Sequence, residues 1–327
     1  MDVSPGIIFL GGLTVILLGA ELLLRGASRL AVMLRISPVV IGLTVVSVGT
    51  SAPELAVGIT AASEGRGALA VGNIAGTNIL NILFILGLSA LIRPLPIRLL
   101  SIRLDVPAMI ATASALVLMS ADGMLSRTEG GLLLLAACAY TATMVHLSRL
   151  ENAWIQKEFA REYGAATVRP GHDTERIAWY AALLLTGIAL SVLGAELLVA
   201  GAVSIASAYG VSDEFIGLTI VAIGTSAPEL ATTMVATLRN DRDVAIGNLI
   251  GSSIYNVLVI LGLTVLASPG GVAVSHDVLW IDLPLAAMVA LICLPVFRSD
   301  RLVSRREGGW FVVAYLAYLA TLIFLRT

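Results

Sequence analysis

Charge is scarce in this chain. Only 13% of its 327 residues are Asp, Glu, Lys or Arg, and 58% are hydrophobic, whereas soluble domains carry roughly 25% charged residues. A soluble globular fold is excluded, and the chain reads as an integral membrane protein. The net charge of −2 leaves no basic footprint for nucleic acid. The two cysteines, Cys138 and Cys293, lie far apart in apolar runs. They make neither a disulfide framework nor a metal-ligand cluster, and both read as packing residues. His146, His172 and His276 are scattered, which places them at interfaces or in loops. No nucleophile is paired with a base and no His-rich metal site exists, so the chain reads as a non-enzyme without a cofactor. The N-terminus has Asp2 in place of a basic segment and no small-x-small cleavage site. It is expected to be a first membrane helix and not a cleaved signal.

A membrane span needs ~20 mostly apolar residues. Ten segments qualify, at about 5–24, 37–62, 68–92, 103–121, 129–148, 177–198, 212–237, 244–267, 278–297 and 308–325. The odd-numbered connections between them hold 17 of the 20 basic residues. Basic residues stay on the cytoplasmic side, so both termini are expected outside the cell, in the extracellular or periplasmic space. The longest connection, about 150–176, mixes both charges and is expected to be helical around Trp154 to Tyr163.

The chain repeats itself. L-G-A-E-L-L at 18–23 recurs at 193–198, I-G-L-T at 41–44 recurs at 216–219, and G-T-S-A-P-E-L at 49–55 recurs at 224–230. V-G-N-I-A-G-T-N-I-L-N at 71–81 returns as I-G-N-L-I-G-S-S-I-Y-N at 246–256, all at one offset of 175 residues. Weaker matches pair Asp105-Val106-Pro107 with Asp282-Leu283-Pro284, and S-R-T-E-G-G at 126–131 with S-R-R-E-G-G at 304–309. Each half holds five spans. Five is odd, so the second half enters the membrane from the opposite side. The expected fold is an all-α integral membrane protein of ten transmembrane helices in two inverted five-helix repeats. Residues 1–150 form the first repeat, 151–176 a cytoplasmic linker and 177–327 the second repeat. Secondary transporters with this plan bind substrate at the midplane, on broken helices.

The breaks are predicted in helices 2 and 7. Pro53 and Pro228 each remove a backbone donor inside an apolar run. Glu54 and Glu229 follow directly, and a carboxylate at that depth costs ~2.5–3.5 kcal/mol or more. Ser51-x-x-Glu54 also fits a capping box, and capping is expected to occur. A Gln would cap equally well without the charge, so capping alone does not explain the Glu. The break frees carbonyls near Ser47, Val48 and Gly49, at the negative end of the preceding half-helix. Carbonyls, the Thr50 and Ser51 hydroxyls and a carboxylate make an oxygen-only ligand set, which hard cations such as Ca2+ require. The next span adds Asn73, Thr77 and Asn81, four apart and so on one face. Its partner adds Asn248, Ser252 and Asn256. Asn73 and Asn248 suit a packing seam as well as a site, and Gly72, Gly76, Gly247 and Gly251 suit close helix approach. Glu21 and Glu196 read as helix-contact residues, with Glu21 able to pair with Arg25. Asp105 and Asp282 read as structural.

These residues resemble the signature repeats of the sodium/calcium exchangers, in the cation/calcium antiporter superfamily. The resemblance rests on the two G-T-S-A-P-E-L copies and the two G-N-containing stretches that follow them. It implies alternating access at the inner or plasma membrane, with Ca2+ moved outward against Na+ entry and no protein partner. It also implies cation ligands at Thr50, Ser51, Glu54, Thr77 and Asn81 and at Thr225, Ser226, Glu229, Ser252 and Asn256, joined by backbone oxygens at Ser47 and Ala222. Helices 1 and 6 would slide over a rigid remainder on faces bearing Gly11, Gly12 and Gly19, and Gly187, Gly194 and Gly201. The family pattern has an Asp at one of the two positions filled here by Asn81 and Asn256. The same fold coupled to H+ or K+, or moving another divalent ion, stays open, as does a cation channel.

Cysteines introduced at Asp2 and Thr327 of a cysteine-free chain are expected to react with an impermeant reagent from outside, and one at Gly164 only from the cytoplasm. Opposite labelling would overturn the orientation and the odd number of spans per half.

Overall fold

The computed structural model describes residues 4–34, 38–163, 174–210 and 222–326. Helices follow the apolar runs: α1 Pro5–Leu34, α4 Gly67–Ile92, α5 Ser101–Met119, α6 Arg127–Tyr163, α7 Thr174–Ala208, α10 Arg242–Ala267, α11 Val278–Ser299 and α12 Arg305–Arg326. Two further runs are interrupted. One is α2 Val39–Thr50 and α3 Ala52–Ser63, bent by 44° at Ser51. The other is α8 Ala222–Thr225 and α9 Ala227–Leu238, divided at Ser226. Among the described residues, seven helices are long and apolar enough to cross a bilayer, or eight with the bent α2–α3 pair counted as one. Helix α6 runs unbroken to Tyr163, which carries the expected linker helix into the preceding span.

Proline and polar residues mark where the helices deviate. Pro107 and Pro284 lie just past the wide turns at 101–105 and 278–282. A π-turn absorbs a residue that can neither donate nor fit the regular ladder. Similar turns occupy 42–46, 80–86 and 256–261, so Asn81 and Asn256 both sit within irregular backbone. At Ser126 and Ser304 the S-x-x-E pattern makes real capping boxes. Glu129 accepts from Ser126 N at 2.7 Å, and Glu307 accepts from Ser304 N at 2.8 Å, while each Ser Oγ accepts the Glu N–H at 3.3 Å.

Helices α4 and α10 form the centre. About four-fifths of each span is buried, 78% and 83%, against 22–33% for α1, α5, α6, α7 and α11. Gly247 and Gly251 press α10 onto α2, where an added Cβ would meet Val39 O at 2.8 Å and Leu43 O at 2.5 Å. Their first-half counterparts are looser: a Cβ at Gly72 would meet Val278 at 3.3 Å, and one at Gly76 meets nothing described within 4 Å. Two short antiparallel ribbons tie the halves: β1 Leu95–Pro96 with β4 Leu302–Val303, and β2 Met124–Leu125 with β3 Val272–Ala273. In repeat terms β1 matches β3 and β2 matches β4, so each ribbon pairs non-equivalent strands.

Helices α1 and α7 pack antiparallel, backbone to backbone. A Cβ at Gly12, Gly19 or Gly26 would fall 2.4–2.6 Å from backbone N of Leu198, Ser191 or Leu184, and one at Gly187, Gly194 or Gly201 would fall 2.3–2.5 Å from that of Leu23, Ile16 or Phe9. The expected sliding faces are therefore corrected. The glycines seat α1 and α7 on each other, not on the remainder, and Gly11 is exposed and off the seam. Glu21 pairs with Arg25, as the four-residue spacing predicts, and also with Arg239 of the second half, while Glu196 is exposed. Asp105 is buried and accepts from Tyr140 Oη at 2.9 Å, and Asp282 is buried as well. Cys293 is packed inside as expected, whereas Cys138 lies exposed on α6. His146 and His276 are exposed, and His172 lies outside the described residues.

Overpacking of a tight contact costs ~1–3 kcal/mol or more. Gly194→Val is expected to lower the thermal midpoint in detergent by that measure, while Gly11→Val stays near the parent. Equal midpoints for the two variants would remove the seam.

Candidate functional site

The two breaks meet at the centre. Ser51 and Ser226 stand at the N-caps of α3 and α9, yet neither side chain caps its own helix. The expected capping is corrected here. Ser51 Oγ donates to Glu229 Oε1 at 3.0 Å, and Ser226 Oγ donates to Glu54 Oε1 at 3.2 Å. Each serine serves the carboxylate of the other half. Ser226 Oγ also lies 3.4 Å from Thr77 Oγ1, which draws α4 into the cluster.

The carboxylates are otherwise uncompensated. Both are fully buried. The described residues provide no Lys, Arg or His ion pair to either. Glu54 Oε2 and Glu229 Oε2 have no hydrogen-bond partner among them, nor do Asn81 Oδ1, Ser252 Oγ and Asn256 Oδ1. Buried polar atoms are normally satisfied, so the two unpartnered carboxylate oxygens leave room for an external partner, as do the amide and hydroxyl oxygens of the predicted ligands. Their chemistry selects a hard cation. Cysteine and histidine play no part.

The remaining predicted residues divide by role. Thr50 Oγ1 donates weakly to Ser47 O at 3.3 Å and to Asn248 Oδ1 at 3.4 Å. Ser47 Oγ binds Gly42 O at 2.7 Å and Asn248 O at 2.9 Å, which fastens α2 to α10. The Ser47 carbonyl keeps its helical bond from Ser51 N at 3.1 Å. Pro53 has no N–H to give the Gly49 carbonyl four residues before it, and Pro228 stands in the same relation to Gly224. Thr225 is 9% exposed and closes α8, which Ala222 opens. Asn248 is fully buried and donates to Thr233 Oγ1 at 3.2 Å, which makes it part of the frame. Asn73 is only half-buried, with an unpartnered Nδ2.

Asn78 and Thr233 were not singled out from the sequence. Asn78 follows Thr77 directly, and a reading confined to every fourth residue passes over it. The repeat alignment offers a signal, since its equivalent, Ser253, is also polar. Thr233 has Gly58 as its equivalent, so the repeat carries no signal for it.

Known proteins match this arrangement along nearly the whole chain. The family model described as sodium/calcium exchanger protein covers residues 4–145 and 179–324. A putative antiporter, CaxA of Alkalimonas amylolytica, is 38% identical over 313 residues, covering 95% of this chain and 96% of that one. The sodium/calcium exchanger MaX1 of Methanosarcina acetivorans is 31% identical, covering 98% of both. The solved structure of the sodium-calcium exchanger NCX_Mj, soaked with Na+ and without Ca2+, superposes with a TM-score of 0.82 at 28% identity, covering 97% of this chain and 98% of that one. With its two copies of G-T-S-A-P-E-L meeting at one buried oxygen cluster, this chain belongs to the sodium/calcium exchanger family of multi-pass membrane proteins.

Proposed function

We propose that the protein exchanges Na+ for Ca2+ across a cell membrane by alternating access, through one midplane site shared by its halves. The observation that carries this reading is the pair of buried carboxylates, each donated to by the opposite half's serine and neither paired with a cationic side chain among the described residues. The cation would be held by Glu54, Glu229, Ser51, Ser226, Thr77, Ser252, Asn81 and Asn256, with Thr50, Thr225 and backbone oxygens around Ser47 and Ala222 completing the cage. Ca2+ takes roughly six to eight oxygens, which this set can supply.

The pairing of the strands supports an inverted repeat of ten spans. Helix α5 lies between β1 and β2, which therefore stand at opposite ends of it. Strand β1 pairs with β4 and β2 with β3, so the repeat-equivalent strands β1 and β3 belong to opposite faces of the membrane. The ribbons also join connections that carry the same charge bias. Both termini would then face the periplasm or exterior, and a relative named as an inner membrane protein in Escherichia coli, 34% identical over 319 residues, fits placement in the cell membrane. The glycine seam lets α1 and α7 move as one body past the site, exposing it to each side in turn. Saturable flux with an obligatory counter-ion distinguishes this exchange from a channel.

Two carboxylates and no third acid give the site a charge of −2, which matches one Ca2+ or two Na+. Glu54→Gln and Glu229→Gln are each expected to abolish Na+-dependent Ca2+ uptake into proteoliposomes while the protein still inserts and remains monodisperse. Near-parent flux in either variant would return the two residues to a structural role.

A further inference from the structure

Asn81 and Asn256 occupy the same place in the two halves, but their surroundings differ. Both are fully buried. Neither Nδ2 nor Oδ1 of Asn81 has a partner among the described residues. Asn256, in contrast, donates from Nδ2 to Asn78 Oδ1 at 3.2 Å, and Asn78 Nδ2 donates to the Ser253 carbonyl at 3.0 Å. The position equivalent to Asn78 in the second half is Ser253, whose hydroxyl turns back to Leu249 O at 3.0 Å. It has no reach toward Asn81.

An amide can ordinarily be placed either way round, and its hydrogen bonds decide. Here the decision starts from a group with no freedom. A backbone carbonyl only accepts, so Asn78 must point its NH2 at Ser253. Its oxygen then faces Asn256, which must answer with its own NH2. The oxygen of Asn256 is left pointing away, buried and unpartnered. The direction of the whole relay is thus set by the Ser253 carbonyl.

We propose that Asn78 is a positioning residue that fixes Asn256 as an oxygen ligand to the transported cation. The proposal rests on the exchanger reading of the site and adds a residue to it. Asn78 does not touch the ion; it denies Asn256 the rotated state in which an amide NH2 would face a cation. Asn81 has no such restraint. The two amides are therefore unequal ligands although both are asparagine, with Asn256 pre-set and Asn81 oriented only when an ion arrives.

The test is a double-mutant cycle on the purified full chain, read by equilibrium Ca2+ binding in Na+-free detergent and by exchange in proteoliposomes. Asn78→Leu keeps the volume and removes the relay. Loss of a group that orients a metal ligand typically weakens affinity about 10- to 100-fold. The expected result is a rise of that size in half-saturating Ca2+ with the maximal exchange rate unchanged. In an Asn256→Ala background, Asn78→Leu is expected to change half-saturation by no more than about twofold, because its effect passes through the missing side chain. Should the leucine variant not fold, Asn78→Ala runs the same cycle. Parent-like affinity in the single variant overturns the proposal, as does a fall in rate at unchanged half-saturation, or full additivity in the Asn256→Ala background. Glu54→Gln separates the two levels. If it abolishes Ca2+ binding while Asn78→Leu does nothing, only the relay is wrong. If it leaves binding intact, the site itself is misplaced and the relay falls with it.

Discussion

Two carboxylates buried in apolar surroundings without a cationic side chain cannot both be stable on their own. A charge removed from water must be matched by an opposite charge or by hydrogen bonds. Each Glu accepts from a serine hydroxyl of the other half of the chain. The remaining requirement is left to whatever occupies the site. In the proposed function a bound cation would meet it, and the crossed serine bonds tie the two halves together at that point. The breaks at Ser51 and Ser226 bring the serines to the carboxylates of the opposite half, and Thr77 on α4 lies beside Ser226.

The S-x-x-E pattern shows how context decides a local motif. Apart from Ser148/Glu151, inside α6, it occurs as Ser51/Glu54, Ser126/Glu129, Ser226/Glu229 and Ser304/Glu307. At 126 and 304 the two side chains close on each other and cap the helix that follows. At 51 and 226 they do not. In all four the serine hydroxyl donates to a carboxylate; at 126 and 304 it is that of its own pattern, and at 51 and 226 that of the opposite half. The difference is which carboxylate the tertiary packing brings to the serine.

Much of the architecture was legible because its causes are local. Apolar runs gave the helices, Pro53 and Pro228 gave the breaks, and the gapless offset of 175 gave the internal relation between halves. The acidic and amide residues of the site stood out because each is costly where it lies. Contacts between distant residues were not legible. No periodicity tells Ser51 to ignore Glu54 for Glu229, 178 positions away. The glycines at 12 and 19 and at 187, 194 and 201 were visible as small faces, but what they face is a tertiary fact: they seat α1 and α7 on each other, Gly26 joins them unforeseen, and Gly11 is off the seam. Asn78 lies outside the every-fourth-residue pattern, and its bond to the Ser253 carbonyl of the other half is likewise a tertiary contact.

Helices α1 and α7 pack backbone to backbone, and the proposed ligands lie on α2–α3, α4, α8–α9 and α10; in the proposed exchange α1 and α7 would move as one body past them. The central claim is that one cation site, made by both halves, serves Ca2+ and Na+ in turn. Its most direct test is equilibrium binding of radioactive Ca2+ to the purified protein over a series of Na+ concentrations. The account predicts a single saturable Ca2+ per chain, displaced competitively and completely by Na+. Ca2+ binding that Na+ does not displace, or two or more Ca2+ held at once, would contradict it.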